Sequence, residues 1–172
     1  MTEKNASQEE QARIKNVLRL FHYGLYVAAS NGPDGVRAAT LSWVTQVSFE
    51  PRLLAIAVRK GTGIHEAIAA SRRFALHVVG AEQADFAKAF FRSGPAPAES
   101  QAVAGYSFTM SEREVPVFDT APAWLECELL EDACPAGVAD HALLTARVIG
   151  SGYRTPIASA LALCDTPWHY GG

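Results

Sequence analysis

The chain has 172 residues, 49% hydrophobic and 19% charged, with 15 Lys and Arg against 18 Asp and Glu for a net charge of −3. That size suits one domain with a sizeable core, and the missing basic field argues against nucleic acid or a polyanionic surface as partner. No apolar run approaches the roughly 20 residues that cross a bilayer, and "MTEKNASQEEQ" lacks the apolar core of a signal peptide, so a cytoplasmic protein with no membrane partner is expected. Cys127, Cys134 and Cys164 include no CxxC pair, which disfavours a zinc site. Cys127 alternates with glutamates in "AWLECELLED" and reads as a buried small hydrophobe.

"SQEEQARIKNVLRLF" opens with Ser7 and has Glu10 three residues on, the spacing of a capping box. Ile14, Val17, Leu18 and Phe21 follow at helical spacing, so residues 1–20 are expected to hold an amphipathic helix ahead of a single domain over residues 21–172. "GLYVAAS" and "VRAATLSWVTQVSF" flank the turn formers of "NGPDG", a hairpin pattern. "RLLAIAVRK" is apolar on both faces and reads as a central strand. A short helix "GIHEAIAAS", a strand "RFALHVVG", a second amphipathic helix "EQADFAKAFF" and a loop "RSGPAPAESQ" come next. The strand-like stretches "YSFTM", "AWLECELLED" and "HALLTARVIGSGY" follow, the last two separated by a turn at "ACPAGVAD". Strands in succession with short inserted helices predict a mainly β, α+β chain folded as a closed or partly closed antiparallel barrel.

Two stretches carry chemistry. In "ATLSWVTQVSFEP" strict alternation predicts a half-buried strand, with Leu41, Trp43, Thr45, Val47 and Phe49 on the core face. Thr40, Ser42, Val44, Gln46 and Ser48 form the other, and such short neutral groups suit a ligand that approaches the backbone and needs uncharged donors. In "AVRKGTGIHEAI" a strand runs into a helix start, where free amides and the helix dipole bind phosphate. Thr62 is the expected N-cap, Gly61 and Gly63 permit close approach, and Arg59 or Lys60 can balance the charge. A capped surface turn would look the same. The neighbouring polar strand, expected to pair with this one, shifts the reading to a seat for a phosphorylated flat heteroaromatic ligand.

These stretches, with "VPVFDTAPAWLECELLED" and "ADHALLTARVIG" in the same order, resemble the flavin reductase-like domain, the FMN-binding split barrel of reductases that serve two-component monooxygenases. The resemblance runs from about Tyr23 to Tyr170. It implies FMN or FAD as cofactor, NADH or NADPH as hydride donor, and a homodimer with flavin near the subunit interface. It also implies an NAD(P)H:flavin oxidoreductase that can supply a monooxygenase. By position it assigns flavin contacts to Thr40, Leu41, Ser42 and Ser48, and phosphate contacts to Arg59, Lys60 and Thr62, with Gly61 and His65 beside them. Trp43 stands where many members carry a small residue, and its amide falls among those expected to face the ring. The family's Gly-Asp-His is matched by Ala139, Asp140 and His141, and His141 is expected to serve hydride transfer, with no pairing to Asp140 assumed. An electron-transfer flavoprotein and a flavin-binding module without reductase activity are the rival readings.

The remaining candidates read as structural. His77, mid-strand, is expected to be packed and hydrogen-bonded, and His22 carries no supporting pattern. Trp168, His169 and Tyr170 are costly to expose and should pack against the body or a partner chain.

Overall fold

The computed structural model describes residues 3–92, 94–96, 100–133, 139–157 and 159–169. Helix α1 spans Glu3–Leu18, and the hairpin follows as β1 (Tyr26–Gly32) and β2 (Gly35–Leu41). Next come β3 (Val44–Ser48), β4 (Leu53–Arg59), α2 (Gly63–Ser71), β5 (Arg73–Val78) and α3 (Ala84–Ala89). The chain continues through β6 (Ala102–Val103), β7 (Tyr106–Met110), β8 (Pro116–Phe118), β9 (Ala123–Asp132) and β10 (His141–Tyr153). The expected mainly antiparallel fold with short inserted helices is what forms: a seven-stranded sheet in the order β2-β1-β5-β9-β10-β4-β3 beside a three-stranded sheet β6-β7-β8.

The strand order dictates the shape. β2 and β3 lie at opposite edges of the sheet, yet only Ser42 and Trp43 join them. Flat, the sheet would be about 29 Å wide, at roughly 4.8 Å per strand. The three steps from residue 41 to residue 44 reach at most about 11 Å. The sheet therefore rolls until its edges meet. Among the described residues no ladder joins β2 to β3, so the roll has a seam rather than a closed wall.

This corrects the expectation of one strand through "ATLSWVTQVSFEP". The alternation breaks at Ser42 and Trp43, where the chain steps across the seam and the Ala57 N–H donates to the Trp43 carbonyl at 3.0 Å. Beyond the step the facing inverts. Val44 packs on the inner core, while Val47 is 52% and Phe49 is 87% exposed. The expected pairing with the next strand does hold for β3, from Val44↔Ile56 to Ser48↔Leu53.

Period-two strands on a roll feed two cores. Ala28, Leu41, Ile56, Val58, Phe74 and Leu144 fill the inside, which Ile64 and Ile68 of α2 plug. Val27, Ala29, Val36 and Ala38 point outward beneath Phe86, Phe90, Phe108 and Phe118. Cys127 is fully buried as expected, and burial pushes its thiol up to about 12; Cys134 lies outside the described residues. His77 is packed and hydrogen-bonded between β1 and β8. The first helix departs from expectation twice. It starts before Ser7, so that residue does not cap it, and its apolar stripe of Ile14, Val17 and Leu18 is exposed rather than packed.

Candidate functional site

A cleft of about 400 Å³ lies at the seam, between β2 and the C-terminal end of β4. Thr40, Leu41 and Ser42 line one side, and Arg59, Thr62 and Gly63 line the other. The two chemistry-bearing stretches of the sequence thus meet across the split edge, although Thr40 and Leu41 sit on β2 and not on a strand paired with β4.

Each predicted residue has a definite place. The Thr40 hydroxyl donates to the Ala87 carbonyl at 2.5 Å, fixing β2 against α3, so its proton is committed. Leu41 turns inward to the core. Ser42 is 4% exposed, and its Oγ has no hydrogen-bond partner. A buried hydroxyl costs roughly 1–3 kcal/mol when left unpaired, so Ser42 stands out among the residues that line the cleft. Thr62 occupies the N-cap position of α2, but its hydroxyl donates to the Arg59 carbonyl at 2.7 Å and makes no cap. The correction favours binding. The first-turn amides of α2 are left without a side-chain cap, the condition that suits an anion.

Gly61 turns the chain with φ of 72°, in the left-handed region. Gly63 admits Arg37: a Cβ there would lie 3.1 Å from the Arg37 Nη1. Arg37, Arg92 and the exposed face of Phe91 complete the lining, and none of the three was singled out from sequence. Arg37 was hidden because it sits mid-hairpin, and only the fold brings it to the start of α2. Among the described residues its one ion pair is a long 3.8 Å contact with Asp34.

Lys60, Ser48 and His65 do not line the cleft. Lys60 uses its N–H on the Asp140 carbonyl at 3.0 Å. Ser48 lies at the far end of β3, opposite Leu53. His65 carries a buried Nδ1 without a hydrogen-bond partner. His141 stands opposite Arg59 in the β4–β10 ladder, and its ring packs 4.9 Å from that of Trp43. Its Nδ1 lies 2.8 Å from Asp140 Oδ1. Alternation does not separate the two because β10 begins at His141 and Asp140 belongs to the turn. This hydrogen bond holds the Asp140 carboxyl below the usual carboxylate range.

Among the described residues no helix is long and apolar enough to cross a membrane, and no group of three or more His, Cys, Asp or Glu side chains could hold a metal.

Three similar proteins carry the comparison further. SmoA, the FMN reductase (NADH) of Agrobacterium fabrum, is 25% identical over 85% of this chain and 79% of its own length. A probable flavin reductase of Rhizobium meliloti is 30% identical over 71% of this chain, which spans only 37% of that relative. The solved styrene monooxygenase flavin reductase of Pseudomonas putida S12 superposes with a TM-score of 0.66 at 26% identity, over 81% of this chain and 86% of that one. The model of the flavin reductase like domain matches residues 18–167, nearly the whole of the rolled sheet and its helices, and the chain belongs to that family.

Proposed function

We propose that the chain is an NAD(P)H:flavin oxidoreductase that binds FMN in the seam cleft. One observation carries the reading. Ser42, whose buried hydroxyl has no partner among the described residues, and an arginine-bearing helix start line the same cavity. A flavin mononucleotide is a neutral, heteroatom-rimmed ring on a polyol that ends in phosphate, and it calls for that combination of groups. Similarity to SmoA, an FMN reductase (NADH), supports FMN and NADH as the pair.

Bound flavin supplies the ring that takes up a hydride from the reduced nicotinamide. The chain binds and orients. Arg37 and Arg59, with the first amides of α2, hold the phosphate. The Ser42 hydroxyl and the backbone amides at residues 42 and 43 face the polar edge of the ring, where preorganised donors count most. Phe90 and Phe91 shield that end from water. His141 acts on the rate through Trp43, whose ring it holds beside the seam.

A second copy of the chain is the partner that fits the exposed apolar surfaces. The α1 stripe and the outer face of β3 and β10, with Val47, Phe49 and Leu143, have no cover within one chain. An obligate interface of this kind buries on the order of 2,000 Å². A flavin-dependent oxygenase is the proposed consumer of the product, in keeping with the styrene monooxygenase reductase among its relatives.

Steady-state oxidation of NADH and NADPH by the purified protein, with and without added FMN, tests the reading. Turnover that saturates with FMN is expected. A protein that binds FMN without turnover would leave the electron-transfer or flavin-binding alternatives standing in its place.

A further inference from the structure

Thr40 lines the seam cleft but spends its donors elsewhere. Its hydroxyl donates to the Ala87 carbonyl at 2.5 Å, and its N–H donates to the Phe90 carbonyl at 3.3 Å. Both acceptors belong to the end of α3, where the last carbonyls of a helix lack donors of their own. A six-residue helix is too short to persist without tertiary support, and β2 lends this one two donors from a single residue. The N–H is available because β2 is a sheet edge that pairs, among the described residues, only with β1. The chain comes back to the same edge at Ala96, whose N–H donates to the Val36 carbonyl at 3.0 Å.

Between these two anchors lie Phe91 and Arg92. Arg92 lines the cleft, is exposed, and makes no ion pair among the described residues. With Arg37 and Arg59 it puts three guanidiniums around one cavity of a chain whose net charge is −3. Like charges gathered in this way repel one another until an anion joins them. An arginine on a loose segment would lose much of the gain to the ordering of backbone and side chain together. Arg92 has only its side chain left to order, because Thr40 fixes the end of the helix that bears it.

We propose that Thr40 is a positioning residue: its hydroxyl latches the end of α3 to β2, and Arg92, so held, reaches the phosphate of the bound flavin. A planar, permanently charged fork suits that contact. The sequence resemblance assigns Thr40 a direct contact with the flavin, whereas the latch gives it a duty that is read at the phosphate and not at the ring. The inference rests on the flavin reading of the seam cleft.

The test titrates the wild type and its variants with FMN and with riboflavin, which lacks the phosphate. Loss of one charge-assisted hydrogen bond in Arg92→Ala should weaken FMN on the order of tenfold and leave riboflavin within about twofold. Thr40→Val, which removes the hydroxyl and keeps the branched shape, should show the same pattern at roughly threefold to tenfold. Thr40→Ser keeps the hydroxyl and should bind FMN nearly as the wild type does. Because Thr40 acts through Arg92, the double variant Thr40→Val with Arg92→Ala should lose no more than Arg92→Ala alone. Thr40→Ala takes the place of the valine variant if that one does not fold. Equal losses of FMN and riboflavin in the Thr40 variant would show a direct ring contact and overturn the latch. So would normal FMN affinity in Arg92→Ala, or losses that multiply in the double variant, the mark of a residue that supports the fold alone. A wild-type protein that binds neither flavin would sink the cleft reading itself, a separate result.

Discussion

His141 and Asp140 form a 2.8 Å hydrogen bond at the mouth of β10, and the imidazole of this pair packs against Trp43 one strand away from the seam. A carboxylate can only accept, so Nδ1 is the donor and the ring is held in one orientation. Neither residue of the pair lines the cleft. His141→Ala should therefore slow NAD(P)H turnover through the position of Trp43, by about tenfold, with little change in FMN affinity. Asp140→Asn should give a smaller loss of the same kind. Steady-state kinetics beside a flavin titration would show it, and near-wild-type turnover in His141→Ala would remove His141 from the mechanism.

The phosphate seat makes a sharper claim, because it separates Arg59 from Lys60, adjacent cations that sequence treats alike. Arg37 and Arg59 line the cleft and Lys60 does not. A charge-assisted hydrogen bond is worth roughly 1.5–3 kcal/mol, so Arg37→Ala should weaken FMN by a factor on the order of 10 to 100. Riboflavin, which lacks the phosphate, should bind both proteins alike, and Lys60→Ala should bind FMN almost normally. Equal losses for FMN and riboflavin in Arg37→Ala would put the phosphate elsewhere.

What the sequence disclosed follows a physical line. Strands β4, β5, β9 and β10 were legible because their apolar periodicity is local, and the start of α2 because Gly61, Thr62 and Gly63 punctuate it. The break at Ser42 and Trp43 was not legible. Both flanking strands alternate, and only the sheet order shows that they belong to opposite edges. Arg37 escaped for the same reason: its partner in the site, Gly63, is remote in sequence. The short β6 and β8 carry too few residues to show a period. Pairing of Asp140 with His141 is not legible from alternation, because the strand begins only at His141.

The exposed stripe of α1 predicts assembly. Ile14 is 45%, Val17 57% and Phe21 57% exposed, an arrangement that a lone chain in water disfavours. The protein should run as a dimer in light scattering at micromolar concentration. Val17→Asp with Phe21→Asp should shift it toward the monomer without loss of secondary structure. A wild-type monomeric mass would show that these side chains simply stay wet.

The last prediction concerns His77 and the pH dependence of stability. Its Nδ1 donates to the Val27 carbonyl at 2.8 Å, and its Nε2 accepts the Phe118 N–H at 3.1 Å, so the ring is neutral with the proton on Nδ1. A second proton would face the Phe118 amide in a fully buried site, and desolvation accordingly lowers the pKa from 6.5 to about 4. The unfolded chain takes up that proton below about 6.5 and the folded chain only below about 4, so acid favours the unfolded state between those values. The contribution is whole above pH 6.5, falls as pH drops through the window, and amounts to about 3 kcal/mol across it. Urea unfolding at pH 7 and pH 5 should show a loss of about 2 kcal/mol at the lower pH. His77→Gln keeps one donor and one acceptor but cannot titrate. It should be less stable at pH 7, because its shape differs, and should lose much less stability on going to pH 5. Parallel losses in the two proteins would mean that His77 does not govern the acid limb.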